Sequence, residues 1–153
     1  MDNYEIERKF LIKELPENLE SYQSLEIEQG YLCTKPTIRV RKSNDEYYMT
    51  YKGNGLLSRE EYNLPLTKEA YESLVKKSEG NIISKTRYVI PIEGSHLKIE
   101  LDVFKAPFDG LILAEVEFDS TREADSFVMP DWFLKDVTGE REYYNSNMSQ
   151  KKF

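Results

Sequence analysis

Hydrophobic and polar residues alternate along most of this chain, and this period of two predicts a protein built mainly from β-strands. Short stretches rich in Asn, Asp, Gly and Pro separate the alternating segments and are typical of turns. Two adjacent pairs of segments, 37–42 with 46–52 and 84–92 with 97–104, are predicted to form hairpins. The eight predicted strands lie near 4–12, 26–33, 37–42, 46–52, 58–64, 84–92, 97–104 and 112–119.

Helical patterns are shorter than the strand patterns. Thr67 is a good N-cap, and the apolar spacing after it predicts a helix over 67–77. A capping box begins at Ser120 and predicts a second helix near 121–128. Less regular patterns favour short helices over 16–24 and over 130–134.

Formal charges are concentrated on one face of nearly every predicted strand, and aliphatic or aromatic residues occupy the other face. In the first strand Glu5, Glu7 and Lys9 share a face, whereas Ile6 and Phe10 lie on the opposite one. The charged residues with this arrangement are Glu5, Glu7, Lys9, Arg39, Arg41, Lys52, Arg59, Glu61, Lys85, Arg87, Glu100, Asp102, Glu115 and Glu117.

Two interpretations account for these charged faces. One is an antiparallel sheet with an apolar face on a core and a charged face in water. The other is a closed barrel whose charged face points inward, with the predicted helices covering the apolar outside. An interior of carboxylates and cations suits a metal–polyphosphate complex, because carboxylates bind hard cations and Arg and Lys bind phosphate oxygens. We favour the barrel, since solvent faces are rarely so uniformly charged.

Length and composition restrict the possibilities further. The 153 residues are enough for one domain, 1–153, with a core of its own. The net charge of −7 argues against nucleic acid and anionic membranes as partners. A single cysteine, Cys33, and the lack of an apolar run of about 20 residues indicate a cytoplasmic protein.

The order of several short motifs resembles the CYTH family, the triphosphate tunnel metalloenzymes, and in particular its short bacterial inorganic triphosphatases. The resemblance covers residues 4 to about 119, with a similar tail near 132–138. Its motifs are Glu5-x-Glu7-x-Lys9, Gln29-Gly30-Tyr31-Leu32, Arg39-x-Arg41, Tyr51-Lys52-Gly53, Leu57-Ser58-Arg59-Glu60-Glu61-Tyr62, Lys85-Thr86-Arg87-Tyr88, Glu100-Leu101-Asp102-Val103-Phe104 and Glu115-x-Glu117-Phe118.

This resemblance implies an α+β fold, mainly antiparallel β: a closed eight-stranded barrel, or tunnel, with a charged interior and helices outside. It also implies an enzyme that uses Mg²⁺ or Mn²⁺ to release the terminal phosphate of a small-molecule triphosphate, most simply inorganic tripolyphosphate. The implied metal ligands are Glu5, Glu7, Glu115 and Glu117, with Glu61 and Asp102 nearby. The implied phosphate-binding residues are Lys9, Arg39, Arg41, Lys52, Arg59, Lys85 and Arg87, and Lys9 with Tyr31 is the implied catalytic pair.

Several points stay open at the level of sequence. A class IV adenylate cyclase, a nucleoside or thiamine triphosphatase, and a polyphosphate-binding module without turnover are alternatives. The assembly is not fixed, and a homodimer is one option. Asn63 and Tyr144 depart from the family pattern, in which an acidic residue and a lysine are common at these two places.

Overall fold

The computed structural model describes residues 4–55 and 57–153, which form an antiparallel sheet that closes on itself. Its strands are β1 (Tyr4–Ile12), β2 (Gln23–Thr34), β3 (Thr37–Ser43), β4 (Glu46–Lys52), β5 (Ser58–Pro65), β6 (Glu79–Pro91), β7 (Lys98–Phe104), β8 (Ile112–Phe118) and β9 (Phe133–Asp136). Neighbours follow the order β5-β4-β3-β2-β6-β7-β8-β1-β9, and β5 also pairs with β1. The pairing of β5 with β1 closes β1–β8 into the eight-stranded barrel predicted from the sequence.

The barrel closes at β1, and one edge of this strand pairs with two partners, β5 and β9. Residues 4–6 of β1 pair with 58–60 of β5. Beyond them, 10–12 of β1 pair with β9 instead. The ninth strand therefore continues the hydrogen-bonded edge where β5 has already diverged.

The strand register brings the charged faces together inside the barrel. Glu7 lies opposite Glu117 and Lys9 opposite Glu115 in the β1–β8 pair. Because every pair in the barrel is antiparallel and in register over several residues, the alternation along each strand places like-facing residues side by side.

Helices cover the outside of the barrel, as the sequence predicts. The first, α1 (Lys68–Val75), begins at Thr67, whose side chain accepts a hydrogen bond from the Ala70 N–H, and it contacts β2, β3 and β4. The second, α2 (Thr121–Ser126), begins at Ser120 and packs on β1 and β8. A single-turn helix, α3 (Asn145–Met148), contacts β2 and β6.

One predicted short helix is reduced to a single 3-10 turn, and the other is wrong. Over 16–24 the chain forms a 3-10 turn at Leu19–Ser21, and β2 already begins at Gln23. After Pro130 a turn leads into β9, in which Phe133 is 1% exposed and packs on Phe10 with ring centroids 4.8 Å apart. Burial of Phe133 on the outer face of β1 selects an extended chain there.

The main apolar core lies on the outside of the barrel wall, beneath the helices. Phe10, Leu101 and Val116 are completely buried in it, and Ala124 of α2 packs against them. Since the outward faces provide this core, the barrel interior is left to polar groups. Within the described part of the chain, every helix is too short or too polar to span a membrane.

Candidate active site

The barrel encloses a cavity of about 430 Å³ that is lined by opposite charges in equal number. The charged lining residues are Glu5, Glu7, Lys9, Arg39, Arg41, Glu46, Lys52, Arg59, Glu61, Lys85, Arg87, Glu100, Glu115 and Glu117. Tyr31 lines it as well, so the structure brings together all predicted site residues except Asp102. Glu61, rather than Glu60, faces the cavity.

Carboxylates crowd the side of the cavity formed by β1 and β8. Burial raises the pKa of Glu7 well above its usual value, and the nearby Glu115 and Glu5 carboxylates raise it further. A hydrogen bond links Glu7 to Glu115, whose own pKa is held well below its usual value by Lys9 and Arg87 despite burial. The opposite pKa shifts of these two carboxyl groups are typical of carboxylates that lie too close to ionise together.

Two further glutamates extend this acidic side. Burial, followed by repulsion from Glu5 and Glu100, raises the pKa of Glu117 to about 7. Burial and the Glu5 carboxylate likewise raise the pKa of Glu61. Burial and repulsion between carboxylates therefore both act on the glutamates of this side.

The opposite wall is basic. Counting round the closed barrel, β3 lies four strands from β8, so Arg39 and Arg41 face the acidic side across the cavity. Arg39 is 7% exposed; its guanidinium donates to Thr50 Oγ1 at 3.1 Å, but its Nε has no hydrogen-bond partner among residues 4–55 and 57–153. Arg41 donates from Nε to Gln29 Oε1 at 2.6 Å. Both guanidiniums are bound by neutral groups, which leaves their charge available to an anion.

Asp102 is in a different position from the other predicted carboxylates. It is completely buried and accepts hydrogen bonds from Lys85 Nζ at 2.7 Å and from Arg87 Nε at 2.7 Å. A second bond joins Arg87 Nη2 to Asp102 Oδ2 at 2.9 Å. Asp102 thus holds the side chains of Lys85 and Arg87 in place and does not itself line the cavity.

Burial and the neighbouring arginines weaken the hold of Lys85 on its proton. Desolvation lowers the pKa of Lys85 to about 7, with Arg87 and Arg41 lowering it further and Asp102 opposing the shift. On the β1 and β4 side, Lys52 Nζ donates to Glu5 Oε1 at 2.7 Å. Arg59 approaches the same Glu5 oxygen at 3.6 Å.

Lys9 and Tyr31 both lie deep in the cavity. Lys9 Nζ donates to the Tyr143 carbonyl at 2.9 Å and is 3.5 Å from Glu115 Oε1. Tyr31 is 2% exposed, so it belongs both to the buried core and to the cavity wall. Its hydroxyl accepts a hydrogen bond from Gln29 Nε2 at 3.1 Å.

The deep end of the cavity is closed by apolar side chains and by the C-terminal segment. Inward positions that carry charge elsewhere become Leu11, Ile83, Phe104 and Leu113 at this end, and Met148 packs among them. Tyr144 lies over two cations, with its ring centroid 5.1 Å from Lys9 Nζ and 5.6 Å from Arg59 Cζ. The departure from lysine noted in the sequence therefore places an aromatic ring in contact with the site cations.

Neutral polar residues complete the site, and sequence reasoning missed them. Gln29 is completely buried and Asn145 is 8% exposed, yet both contact site cations. Thr50 donates to Asn63 Oδ1 at 2.6 Å, so Asn63 helps to orient the hydroxyl that accepts from Arg39. The Gln29-Gly30-Tyr31 motif was the available signal for Gln29; an amide in the C-terminal tail has no pattern that marks it.

The donor set of the tunnel fits a hard divalent cation, because its carboxylate oxygens are crowded enough to repel one another. A second group of oxygen and nitrogen donors, His96, Asp119 and Glu123, lies on the exterior with its ligand atoms within 4.8 Å of one another. Contacts among the three residues explain why their side chains lie so close together. His96 Nε2 and Glu123 Oε2 are 2.8 Å apart, and Glu123 accepts from the Asp119 N–H at the start of α2. The crowded carboxylates of the tunnel are the better metal candidate.

A closed antiparallel barrel with a segregated charged interior defines the class of tunnel proteins, and comparison with known proteins identifies the family. The CYTH domain family matches residues 3–150, and the chain belongs to that family. It is similar to the inorganic triphosphatase of Nitrosomonas europaea, with 39% identity over 95% of this chain and 96% of the relative. It is also similar to the inorganic triphosphatase of Acetivibrio thermocellus, with 35% identity over 97% and 95% of the two chains.

A solved structure shows the same fold. The crystal structure of an inorganic triphosphatase matches with a TM-score of 0.72 and 34% identity, covering 97% of this chain and 95% of that chain. Because coverage is nearly complete in both directions, the likeness extends over the whole barrel and the C-terminal segment. CYTH proteins depend on a metal, in agreement with the crowded carboxylates.

Proposed function

We propose that this protein is a metal-dependent hydrolase that releases the terminal phosphate of inorganic tripolyphosphate. The observation that carries the proposal is the separation of charge across one cavity, with Glu115 and Glu117 on β8 opposite Arg39 and Arg41 on β3. A polyphosphate with its cation matches both walls at once. The two relatives named inorganic triphosphatases support the choice of substrate.

Phosphate binding falls to the basic residues of the cavity. Arg39 and Arg41 provide planar guanidiniums that have no carboxylate partner in the described part of the chain, which suits two-point contact with phosphate oxygens. The remaining cations neutralise the negative charge of the bound polyphosphate and keep their ion pairs with the site carboxylates. The full proposed set is Lys9, Arg39, Arg41, Lys52, Arg59, Lys85 and Arg87.

The metal is proposed to bind Glu5, Glu7, Glu115 and Glu117, with Glu61 at the edge of this group. Asp102 is proposed to orient Lys85 and Arg87 rather than to bind the ion, since it is completely buried between them. Mg²⁺ and Mn²⁺ are the proposed ions because both prefer carboxylate oxygen. When bound, the ion neutralises phosphate charge that would otherwise repel the attacking water.

The reaction itself is a displacement at the terminal phosphorus. Water oxygen forms a bond to that phosphorus, the bond to the bridging oxygen breaks with its electron pair on pyrophosphate, and one proton is released. Lys9 and Tyr31 are proposed as the catalytic pair: the Lys9 ammonium stabilises developing negative charge, and the Tyr31 hydroxyl donates a hydrogen bond to the reacting oxygens. The chain's contribution is mainly position and charge.

We also propose that residues 1–153 form a single tunnel domain that acts in the cytoplasm. The continuous strand pairing, which takes in all nine strands of the described residues, supports a single domain. Cys33 is a free thiol, which suits a reducing compartment.

Phosphate release from tripolyphosphate, ATP and thiamine triphosphate, each with Mg²⁺ and with Mn²⁺, tests this function. We expect a strong preference for tripolyphosphate, lost in Glu7→Ala and Arg41→Ala and kept in Lys42→Ala, whose side chain is exposed on the same strand. Cyclic AMP formed from ATP would identify a cyclase instead. Tight tripolyphosphate binding without phosphate release would identify a binding module.

A further inference from the structure

Two buried amides connect the proposed catalytic tyrosine to the C-terminal segment. Gln29 Oε1 accepts from Arg41 Nε at 2.6 Å, and Gln29 Nε2 donates to Asn145 Oδ1 at 3.0 Å and to the Tyr31 hydroxyl at 3.1 Å. Asn145 Oδ1 also accepts from Lys85 Nζ at 2.9 Å. The network therefore runs without interruption from Arg41 on β3 to Lys85 on β6.

The orientation of both amides follows from the arginine at one end of the network. Arg has donors and no acceptor, so Arg41 must face the oxygen of Gln29, and the NH₂ of Gln29 must then face the oxygen of Asn145. The Gln29 nitrogen is then left to donate to Tyr31 and Asn145. A flipped amide at Gln29 would place its NH₂ against the Arg41 donor and leave a buried polar group unsatisfied.

This fixed direction decides what the Tyr31 hydroxyl can do. A phenol has one donor and accepts through its oxygen. Because Gln29 occupies the oxygen as a donor, the Tyr31 proton is directed to another partner, and Tyr31 lines the substrate cavity. A glutamine that accepted from Tyr31 would instead draw this proton away from the substrate.

The backbone between Gln29 and Tyr31 has an irregular strand pairing and a closely packed glycine. Gln29 and Tyr31 share a face two residues apart, and the pairing of β2 with β6 shifts register between them. A Cβ at Gly30 would collide with the Ser78 hydroxyl, so glycine is required at the centre of the motif. Because side chains two residues apart lie on one face of a strand, the Gln29 amide is within reach of the Tyr31 hydroxyl.

We propose that Gln29 is a positioning residue that holds the Tyr31 hydroxyl as a donor toward substrate, with Asn145 fixing the Gln29 amide. The C-terminal segment is in this way part of the active site and not only a cover over its deep end. The proposal rests on the hydrolase function proposed above.

A double-mutant cycle between Gln29→Met and Tyr31→Phe tests it, with steady-state hydrolysis of tripolyphosphate as the readout. We expect Gln29→Met to lower kcat about tenfold, the effect of about 1.4 kcal/mol from one hydrogen bond of ordinary strength. In a Tyr31→Phe background the same change should lower kcat less than about threefold, because its target is gone. Gln23→Met, on the same strand but exposed, is the matched control and should leave kcat unchanged.

Gln29→Glu separates orientation from packing, because it keeps the shape and the acceptor for Arg41 but reverses the bond with Tyr31. We expect kcat to fall while KM changes less than about threefold. Equal effects of Gln29→Met with and without Tyr31, or an unchanged kcat in Gln29→Glu, would overturn the proposal. An inactive wild-type protein would instead refute the hydrolase function, so the two failures are distinguishable.

Discussion

Arg39 is a buried cation whose Nε has no partner among the residues that the structure describes, and this costs folding free energy that a ligand would restore. Replacing it by methionine removes the buried charge, while Thr50 keeps its bond to Asn63. For Arg39→Met we expect KM for tripolyphosphate to rise at least tenfold, since a charged hydrogen bond contributes about 1.5–3 kcal/mol. Steady-state kinetics and thermal unfolding measure the two effects.

The stability of Arg39→Met separates a binding role from a structural one. We expect its midpoint of thermal unfolding to equal or exceed that of wild type, because an apolar side chain replaces an incompletely satisfied cation. A large loss of stability would mean that Arg39 supports the fold, and the proposed phosphate contact would lose its basis. Lys42→Met, on the outward face of the same strand, controls for the loss of one charge.

Glu117 gives the site a pH dependence of known sign. Its pKa in the folded chain is about 7, against an ordinary value of 4.5, so between these values the folded state binds more protons than the unfolded state. The contribution of Glu117 to the stability of the metal-free protein then falls as pH rises from about 4.5 to 7. Because Glu117 is partly exposed and solvent screens the effect, Glu117→Gln should unfold at the wild-type temperature at pH 5 and only about 2–4 °C higher at pH 8 in EDTA, the shift for roughly 1 kcal/mol in a chain of this size.

Residue identity was predictable from sequence where charge marks a strand face. Glu7, Arg41 and their counterparts follow a period of two, and the structure places them in one cavity. Gln29 and Asn145 were not predictable as site residues, because an amide is equally common on exposed strands and turns. Their importance comes from three-dimensional neighbours that lie more than 100 residues apart along the chain.

Among the elements, β9 and α2 are joined to β1 by one outward-facing arginine. Arg8 donates to Asp136 Oδ2 at 2.7 Å, and to the carbonyl oxygens of Ala124 and Phe127 at 2.8 and 2.9 Å. It thereby satisfies carbonyls at the end of α2 and holds β9 at the barrel edge. Arg8 lies on the outer face of the barrel wall, away from the cavity, so it contributes to stability rather than chemistry.

For Arg8→Met we expect the free energy of unfolding to fall by about 1–3 kcal/mol, since two carbonyls and a carboxylate lose their donor. Activity per folded molecule should be unchanged. Urea unfolding and kcat at a temperature well below the transition measure these quantities. A fall in kcat with stability unchanged would place Arg8 in the catalytic machinery and contradict the outward placement of its side chain.

Element prediction succeeded where alternation or a cap was explicit. All eight predicted barrel strands and the helices after Thr67 and Ser120 are present. The error near Pro130 arose because Trp132 and Phe133 fit a helical pattern locally, whereas burial of Phe133 against Phe10 decides for a strand. Such tertiary packing has no local sequence signal.

For the whole molecule, the charged interior predicts that metal and anion stabilise the fold together. A divalent ion relieves repulsion among the carboxylates of β1 and β8, and a polyphosphate satisfies Arg39 and Arg41. We expect Mg²⁺ with pyrophosphate, a product that is not consumed, to raise the midpoint of thermal unfolding by more than the sum of the separate shifts. Purely additive shifts would indicate two independent sites.

The closed barrel was inferable from sequence because one observation, charge on a single face of nearly every strand, favours it over an ordinary solvated sheet. Closure itself depends on residues 4–6 meeting 58–60, a pairing that no local pattern reveals. The apolar deep end was also hidden, since Leu11, Ile83 and Leu113 look like ordinary strand residues until the register aligns them.

The most direct test of the account is a phosphorus NMR time course of tripolyphosphate with the wild-type protein, with Mg²⁺ or Mn²⁺ and then with EDTA. We expect equal amounts of phosphate and pyrophosphate in the presence of metal and an unchanged substrate in EDTA. Tripolyphosphate that stays intact with both metals, or is cleaved equally well in EDTA, would contradict it.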